Sequence, residues 1–214
     1  MPIGGPEEPL DGKEKRYHHG DLRSALLEAI RGLVERDGPD RFRIAEACRI
    51  AGVSTAAPYK HFADRGEMLR GVALEGMERL HARMKAASES HPAGDPGRVA
   101  QLGRTYIDFA RSEPGVFRLM FGLADGHDAD DALQAVGDAA SDLVARVVAE
   151  HTGADPASED VQLRAYALWC FVHGHCFLTL DGKTDPHPPG VEDRLLAMIG
   201  ARMVPATAGG APSD

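Results

Sequence analysis

The stretch RIAEACRIAGVSTAAPYKHFADRGEML, residues 43–69, decides how this chain is read. A short apolar-patterned helix from Ile44 to Ile50 is expected, then the turn Ala51-Gly52-Val53-Ser54, then a second short helix from Thr55 to His61. Gly52 takes the left-handed conformation that a sharp turn between helices needs. Ser54 is a good N-cap for the second helix, and Val53 plugs the angle between the two. Asp64, with Glu67 three residues on, forms a capping box that starts a longer helix to about Ala87. Two short helices joined by such a turn make a helix-turn-helix, whose second helix enters the DNA major groove.

Outward from this stretch the whole chain reads as all-α. Before it, Leu22, Ala25, Leu26, Ala29, Ile30, Leu33 and Val34 recur at three- and four-residue spacing, giving a helix over about 21–37 that Gly38-Pro39 stops. After it, helices are expected over 96–112, 115–121, 130–150, 158–180 and 191–203, with Gly- and Pro-containing breaks between them. No stretch alternates apolar and polar residues as a strand does. The domain reading is a disordered leader (1–16), a DNA-binding domain (17–66), a helical ligand-binding and dimerisation domain (67–204) and a disordered tail (205–214).

The net charge is −9, but it is unevenly spread. Residues 13–70 carry twelve Lys or Arg against nine Asp or Glu, while residues 71–214 carry twelve against twenty-one. The only net-basic block holds the helix-turn-helix, as contact with a polyanion requires. No run of eighteen apolar residues is present and the N-terminus has no signal-peptide pattern, so a cytoplasmic protein without a membrane span is expected. Three cysteines inside helical patterns fit a reducing compartment.

Residues 17–73 closely resemble the N-terminal domain of TetR-type regulators, on the AGVS turn, the Tyr59-Lys60-His61-Phe62 sequence and the capped helix that follows. Trp169, His173 and Gly174 look like the Trp–His–Gly signature of one branch of that family. The resemblance implies a homodimer on double-stranded DNA, released by a small-molecule effector. It implies Ser54 and Thr55 at the start of the recognition helix, Ala56 and Pro58 facing the groove, Tyr59 and His61 on phosphates, and Lys60 on phosphate or base. It also implies Phe62 in the core and Arg65 on a phosphate. Arg43 stands where a Ser or Thr cap is usual, leaving that helix less well capped, and is a candidate extra phosphate contact.

In the second half, helices 158–180 and 191–203 carry Leu163, Leu168, Phe171, Phe177, Leu178, Leu195, Leu196 and Ile199, an apolar set suited to a four-helix dimer interface. Phe109, Phe117, Met120, Phe121, Trp169 and His173 are the candidate ligand pocket, with ordinary core the alternative for each aromatic. Cys170 and Cys176 lie about 120° apart around a helix at roughly 100° per residue, and His175 points elsewhere, so no metal site is expected. No cofactor is expected, and no catalytic motif is present. The competing reading is a helical small-molecule-binding or adaptor protein with a vestigial DNA-binding domain.

Overall fold

The computed structural model describes residues 19–95, 97–123, 131–184 and 188–204. The helices are α1 (His19–Asp37), α2 (Ile44–Ala51), α3 (Arg65–Glu89), α4 (Gly97–Ser112), α5 (Pro114–Gly122), α6 (Asp131–Thr152), α7 (Glu159–Leu180) and α8 (Val191–Met203), with a 3₁₀ turn at Pro58–Lys60 between α2 and α3. The described residues contain no strand, as the periodicity predicts. The predicted leader and tail, and most of the acidic loop after α5, lie outside the described residues.

Of the predicted stripe α1 buries Leu26, Ala29, Ile30, Leu33 and Val34, at most 6% exposed, while Leu22 and Ala25 are half-buried; Leu27, outside the stripe, is buried as well. Onto it pack Ala47 and Cys48 of α2, together with Phe42 and Phe62 from the flanking loops. α2 ends in a Schellman arrangement. Gly52, at φ 69°, donates to the Arg49 carbonyl, and Val53 N–H reaches back to the Cys48 carbonyl at 2.9 Å.

The expected second helix over Thr55–His61 is not an α-helix. Its regular part is the single 3₁₀ turn, preceded by a turn in which Ala57 N–H bonds the Ser54 carbonyl at 3.0 Å. Pro58 is the reason: it has no N–H to return to residue 54, so the chain closes i→i+3 instead. No side chain caps this turn, so Ser54 does not act as the predicted N-cap.

α3 begins as predicted. The Asp64 carboxylate accepts from Glu67 N–H at 2.7 Å, and the Glu67 carboxylate reaches back to Ala63 N–H. α3 then runs for 25 residues, about 37 Å at 1.5 Å per residue, as the spine of the molecule. Its first turns pack on α1, and the rest packs on α4, α5 and α6. α7 and α8 close the far side against α4.

α1 and α5 meet at a junction of backbone and carboxylates. The Glu35 carboxylate accepts from Gly115 N–H at 2.9 Å and from Val116 N–H at 2.8 Å, so a side chain of α1 caps the N-terminus of α5. Gly115 makes this possible, because an added Cβ would lie 2.6 Å from the Val34 carbonyl oxygen. Beside it, the buried Glu113 carboxylate accepts from Arg79 at 2.6 Å and Arg83 at 3.1 Å, with Arg31 of α1 at 3.9 Å.

Two glycine substitutions test this packing in opposite directions. Gly115→Ala forces backbone apart between α1 and α5 and lowers stability by about 1–3 kcal/mol. Gly32→Ala, on an α1 surface with nothing within 4 Å, raises stability by about 1 kcal/mol through helix propensity. Thermal melts read both, and an unchanged Tm for Gly115→Ala contradicts the close approach.

Candidate functional sites: an exposed helix-turn-helix face and an aromatic pocket

The first site is built from the chain between α2 and α3. Buried Pro58 and Phe62 anchor that segment in the core. Between and before them, Ser54, Thr55, Ala56, Tyr59 and Lys60 are exposed and His61 is half-buried. Tyr59 is 58% exposed, an unusual state for a large aromatic that has core beside it on both sides. Arg43, at the N-cap of α2, is exposed and makes no cap hydrogen bond, in line with the weak capping predicted for it.

Two of the predicted DNA-contacting residues, groove-facing Pro58 and phosphate-binding Arg65, are placed differently. Pro58 is buried, so it does not present itself on that face; its ring is used to anchor the turn. Arg65 is turned inward, with its guanidinium on the Pro39 carbonyl and 4.5 Å from the centre of the Phe42 ring. The sequence carries no sign of that partner, because Phe42 and Pro39 approach Arg65 only after α1 and α3 pack.

The second site is a cavity of about 590 Å³ in the larger helical portion. α3 contributes Met77, Leu80 and Met84, α4 contributes Leu102 and Tyr106, and α7 contributes Trp169, Val172 and His173. Phe121 of α5 and Leu196 of α8 complete the inner wall. The mouth lies between α6 and α7, where Gln134, Asp138, Ser141, Gln162 and Tyr166 are exposed. The volume falls within the range of small-molecule sites.

His173 is the hub of this pocket. Its Nδ1 lies 2.9 Å from the Tyr106 hydroxyl, and its ring is 4.6 Å from Phe121, 4.8 Å from Phe177 and 5.1 Å from Trp169, centre to centre. Burial among these rings pushes the His173 pKa below 6.5. Burial also pushes the Tyr106 phenol up, while the neighbouring Trp169 side chain partly opposes that. Tyr106 is therefore a neutral phenol at physiological pH.

Of the six predicted pocket residues, the cavity takes Phe121, Trp169 and His173. Phe109, Phe117 and Met120 are at most 1% exposed and belong to the core. Phe117 still matters indirectly, since its ring packs edge-on to Tyr106 at 5.5 Å and supports His173 at 5.9 Å. Tyr106 and the α3 methionines are pocket residues that sequence reading missed. One of only four tyrosines, inside an apolar helix stripe, was the available signal for Tyr106. The cysteines and histidines of α7 are dispersed: Cys170 is exposed, Cys176 is buried, and His175 bonds Glu192 at 2.8 Å. Among the described residues no group of three or more His, Cys, Asp or Glu side chains is arranged to hold a metal.

Exposed large apolar side chains also have a pattern. Of seven such residues described, Ile50 and Tyr59 lie on the helix-turn-helix, and Leu163, Tyr166, Trp169, Leu178 and Met198 lie on α7 and α8. The expected dimer set is only partly on that face, because Leu168 and Leu196 are buried within the chain itself. Among the described residues no helix is long and apolar enough to cross a membrane.

Comparison with known proteins agrees with this geometry. Residues 99–202 match the family described as tetracyclin repressor-like, C-terminal domain. A protein of unknown function from Rhodococcus sp. RHA1 is 30% identical with a TM-score of 0.73, over 89% of this chain and 96% of that one. A TetR-family transcriptional regulator from Mesorhizobium loti shares the fold at 15% identity and a TM-score of 0.69, over 88% and 97% of the two chains. The nucleoid occlusion factor SlmA of Haemophilus influenzae is 29% identical over 111 residues, 52% of this chain and 50% of that one. The chain thus spans about half the length of the curated relatives it matches.

The low His173 pKa has a consequence for stability. Below pH 6.5 the unfolded chain takes up a proton at this site that the folded chain resists, so the fold loses stability as pH falls through 6.5 toward the lower folded value. His173→Asn removes that contribution. Thermal melts at pH 7.5 and 5.5 then show a smaller drop for the variant than for the parent.

Proposed function

Because the chain belongs to the TetR family of transcriptional regulators, we propose that it is a repressor that binds a near-palindromic operator as a homodimer and leaves it when a small molecule fills the pocket of its C-terminal domain. One observation carries the DNA-binding part: the exposed, small-residue face from Ser54 to Lys60, fixed by buried Pro58 and Phe62. In this reading Ser54 and Thr55 meet phosphate or base edges, and Ala56 offers a methyl contact. Tyr59 and His61 donate to phosphates, and Lys60 contacts phosphate or base. Arg43 adds a phosphate contact from the start of α2. Pro58 and Arg65 act from behind the surface, as anchors. Phosphate contacts supply most of the affinity, and so few base-reading side chains give modest direct readout.

The exposed apolar residues Leu163, Leu178 and Met198 support dimerisation through α7 and α8. A twofold axis there sets two recognition segments about one DNA turn apart, roughly 34–36 Å. The domain division proposed is a DNA-binding unit over 17–66 and an effector and dimerisation unit over 67–204, acting in the cytoplasm. The pocket communicates with the DNA-binding unit through α3, which lines the cavity at Met77 and begins beside the recognition segment at Arg65. It also communicates through α5, whose Phe121 lines the cavity and whose first turn is held by Glu35 of α1. A ligand changes operator occupancy only by its difference in affinity for the two conformations.

A mobility-shift titration with the gene's own upstream DNA tests the proposal. Sequence-selective, salt-sensitive binding is expected. Tyr59→Phe weakens specific and non-specific DNA alike by several-fold, about 1 kcal/mol for a lost phosphate hydrogen bond. Lys60→Ala lowers the slope of log affinity against log salt by roughly 2 for the dimer, one phosphate per protomer. Absence of any selective binding sinks the repressor reading and favours the adaptor alternative.

A further inference from the structure

The lining of the pocket specifies what it accepts. Among the described residues that line it none is a lysine or arginine, and the one acid, Asp138, is exposed at the mouth. Inside, the polar groups are the Tyr106 hydroxyl and the His173 ring, surrounded by Met, Leu, Val and aromatic side chains. A carboxylate, sulfonate or phosphate carried into this interior gives up its hydration and finds no cation in return. A ligand ammonium fares no better, because the one lining carboxylate stays at the solvent edge.

The hydrogen-bond chain fixes what the interior offers. Among the described residues the buried Tyr106 hydroxyl has one hydrogen-bond partner, His173 Nδ1. A buried phenol with a single partner satisfies its O–H only by donating to it, so the proton points along the 2.9 Å contact to His173 Nδ1. A neutral imidazole that accepts at Nδ1 carries its proton on Nε2. Among the described residues nothing bonds that second nitrogen. The Tyr106–His173 pair thus presents the Nε2–H as a donor set among aromatic rings.

We infer that the pocket takes an uncharged, largely apolar, ring-containing molecule with a hydrogen-bond acceptor, such as a ketone, ester or ether oxygen, which His173 Nε2–H reads. The inference rests on the reading of the cavity as the effector site, and it adds the ligand's charge and polarity. Flat rings are favoured because Trp169 and Phe121 flank His173 within 5.1 and 4.6 Å of its ring centre. His173 is a specificity-determining residue for this class, and Tyr106 is the positioning residue that fixes its tautomer.

Trp169 is the only tryptophan of the chain and lines the cavity, so its fluorescence reports occupancy directly. The full-length protein is titrated with three naphthalene probes: 6-propionyl-2-dimethylaminonaphthalene, the same compound with its carbonyl reduced to a methylene, and the anionic 1-anilinonaphthalene-8-sulfonate. The ketone is expected to quench Trp169 and bind about tenfold more tightly than the methylene compound, the value of one buried hydrogen bond. The sulfonate is expected to bind more weakly than either. His173→Phe brings the ketone's affinity to that of the methylene compound, whereas a misfolded variant binds neither. Tyr106→Phe narrows the preference by releasing the tautomer. Tighter binding of the sulfonate, or a ketone preference that survives His173→Phe, overturns the assigned ligand class while leaving the cavity a binding site. Failure of all three probes to quench Trp169 overturns the effector-site reading itself, and the ligand class with it.

Discussion

The carboxylate of Glu35 across the first turn of α5 is the contact on which the arrangement of this molecule depends. A helix N-terminus leaves backbone N–H groups without partners, and burying them unpaired is costly. Here the partners come from another helix, 80 residues earlier in the chain, and they bind both Gly115 and Val116. The contact requires backbone-to-backbone approach, which only a glycine at 115 permits. Glu113, one residue before α5, adds a second tie through the arginines of α3 and α1. The orientation of the N-terminal unit is thus written in a few polar contacts on one edge of α5, and the opposite end of the same helix presents Phe121 to the pocket.

That geometry gives α5 two neighbours with different chemistry. Toward α1 it meets carboxylate and main chain, which tolerate little change in distance. Toward the cavity it meets aromatic rings and methionines, which repack at low cost. Gly76 of α3 sits under α5 as well, where an added Cβ would lie 2.5 Å from Val116.

Much was legible in the sequence wherever a local rule governs the outcome. The left-handed Gly52 turn, the Asp64 and Glu67 cap, the apolar stripe of α1 and the Gly38 stop each depend on residues within a turn of one another, and each is found. The proline at 58 was equally local and was read for its surface instead of for its missing N–H, so a 3₁₀ turn stands where an α-helix was expected. Arg65 and the pocket were not local. Phe109, Phe117 and Phe121 lie within thirteen residues of one another, yet only Phe121 faces the cavity, and the choice is made by how α4 and α5 seat against α3.

By itself, then, the sequence determined the helical class, most helix ends, the turn that follows α2 and the resemblance to TetR-type regulators, because periodicity, caps and turn residues act over a few positions. Only the tertiary structure decided which aromatic side chains enclose a cavity and which fill the core. It alone placed Tyr106 beside His173, 67 residues apart, and buried the histidine among aromatic rings, which lowers its pKa. It alone withdrew Pro58 and Arg65 from the exposed face. These are consequences of burial and of contacts between distant segments, and no pattern of neighbours along the chain encodes them.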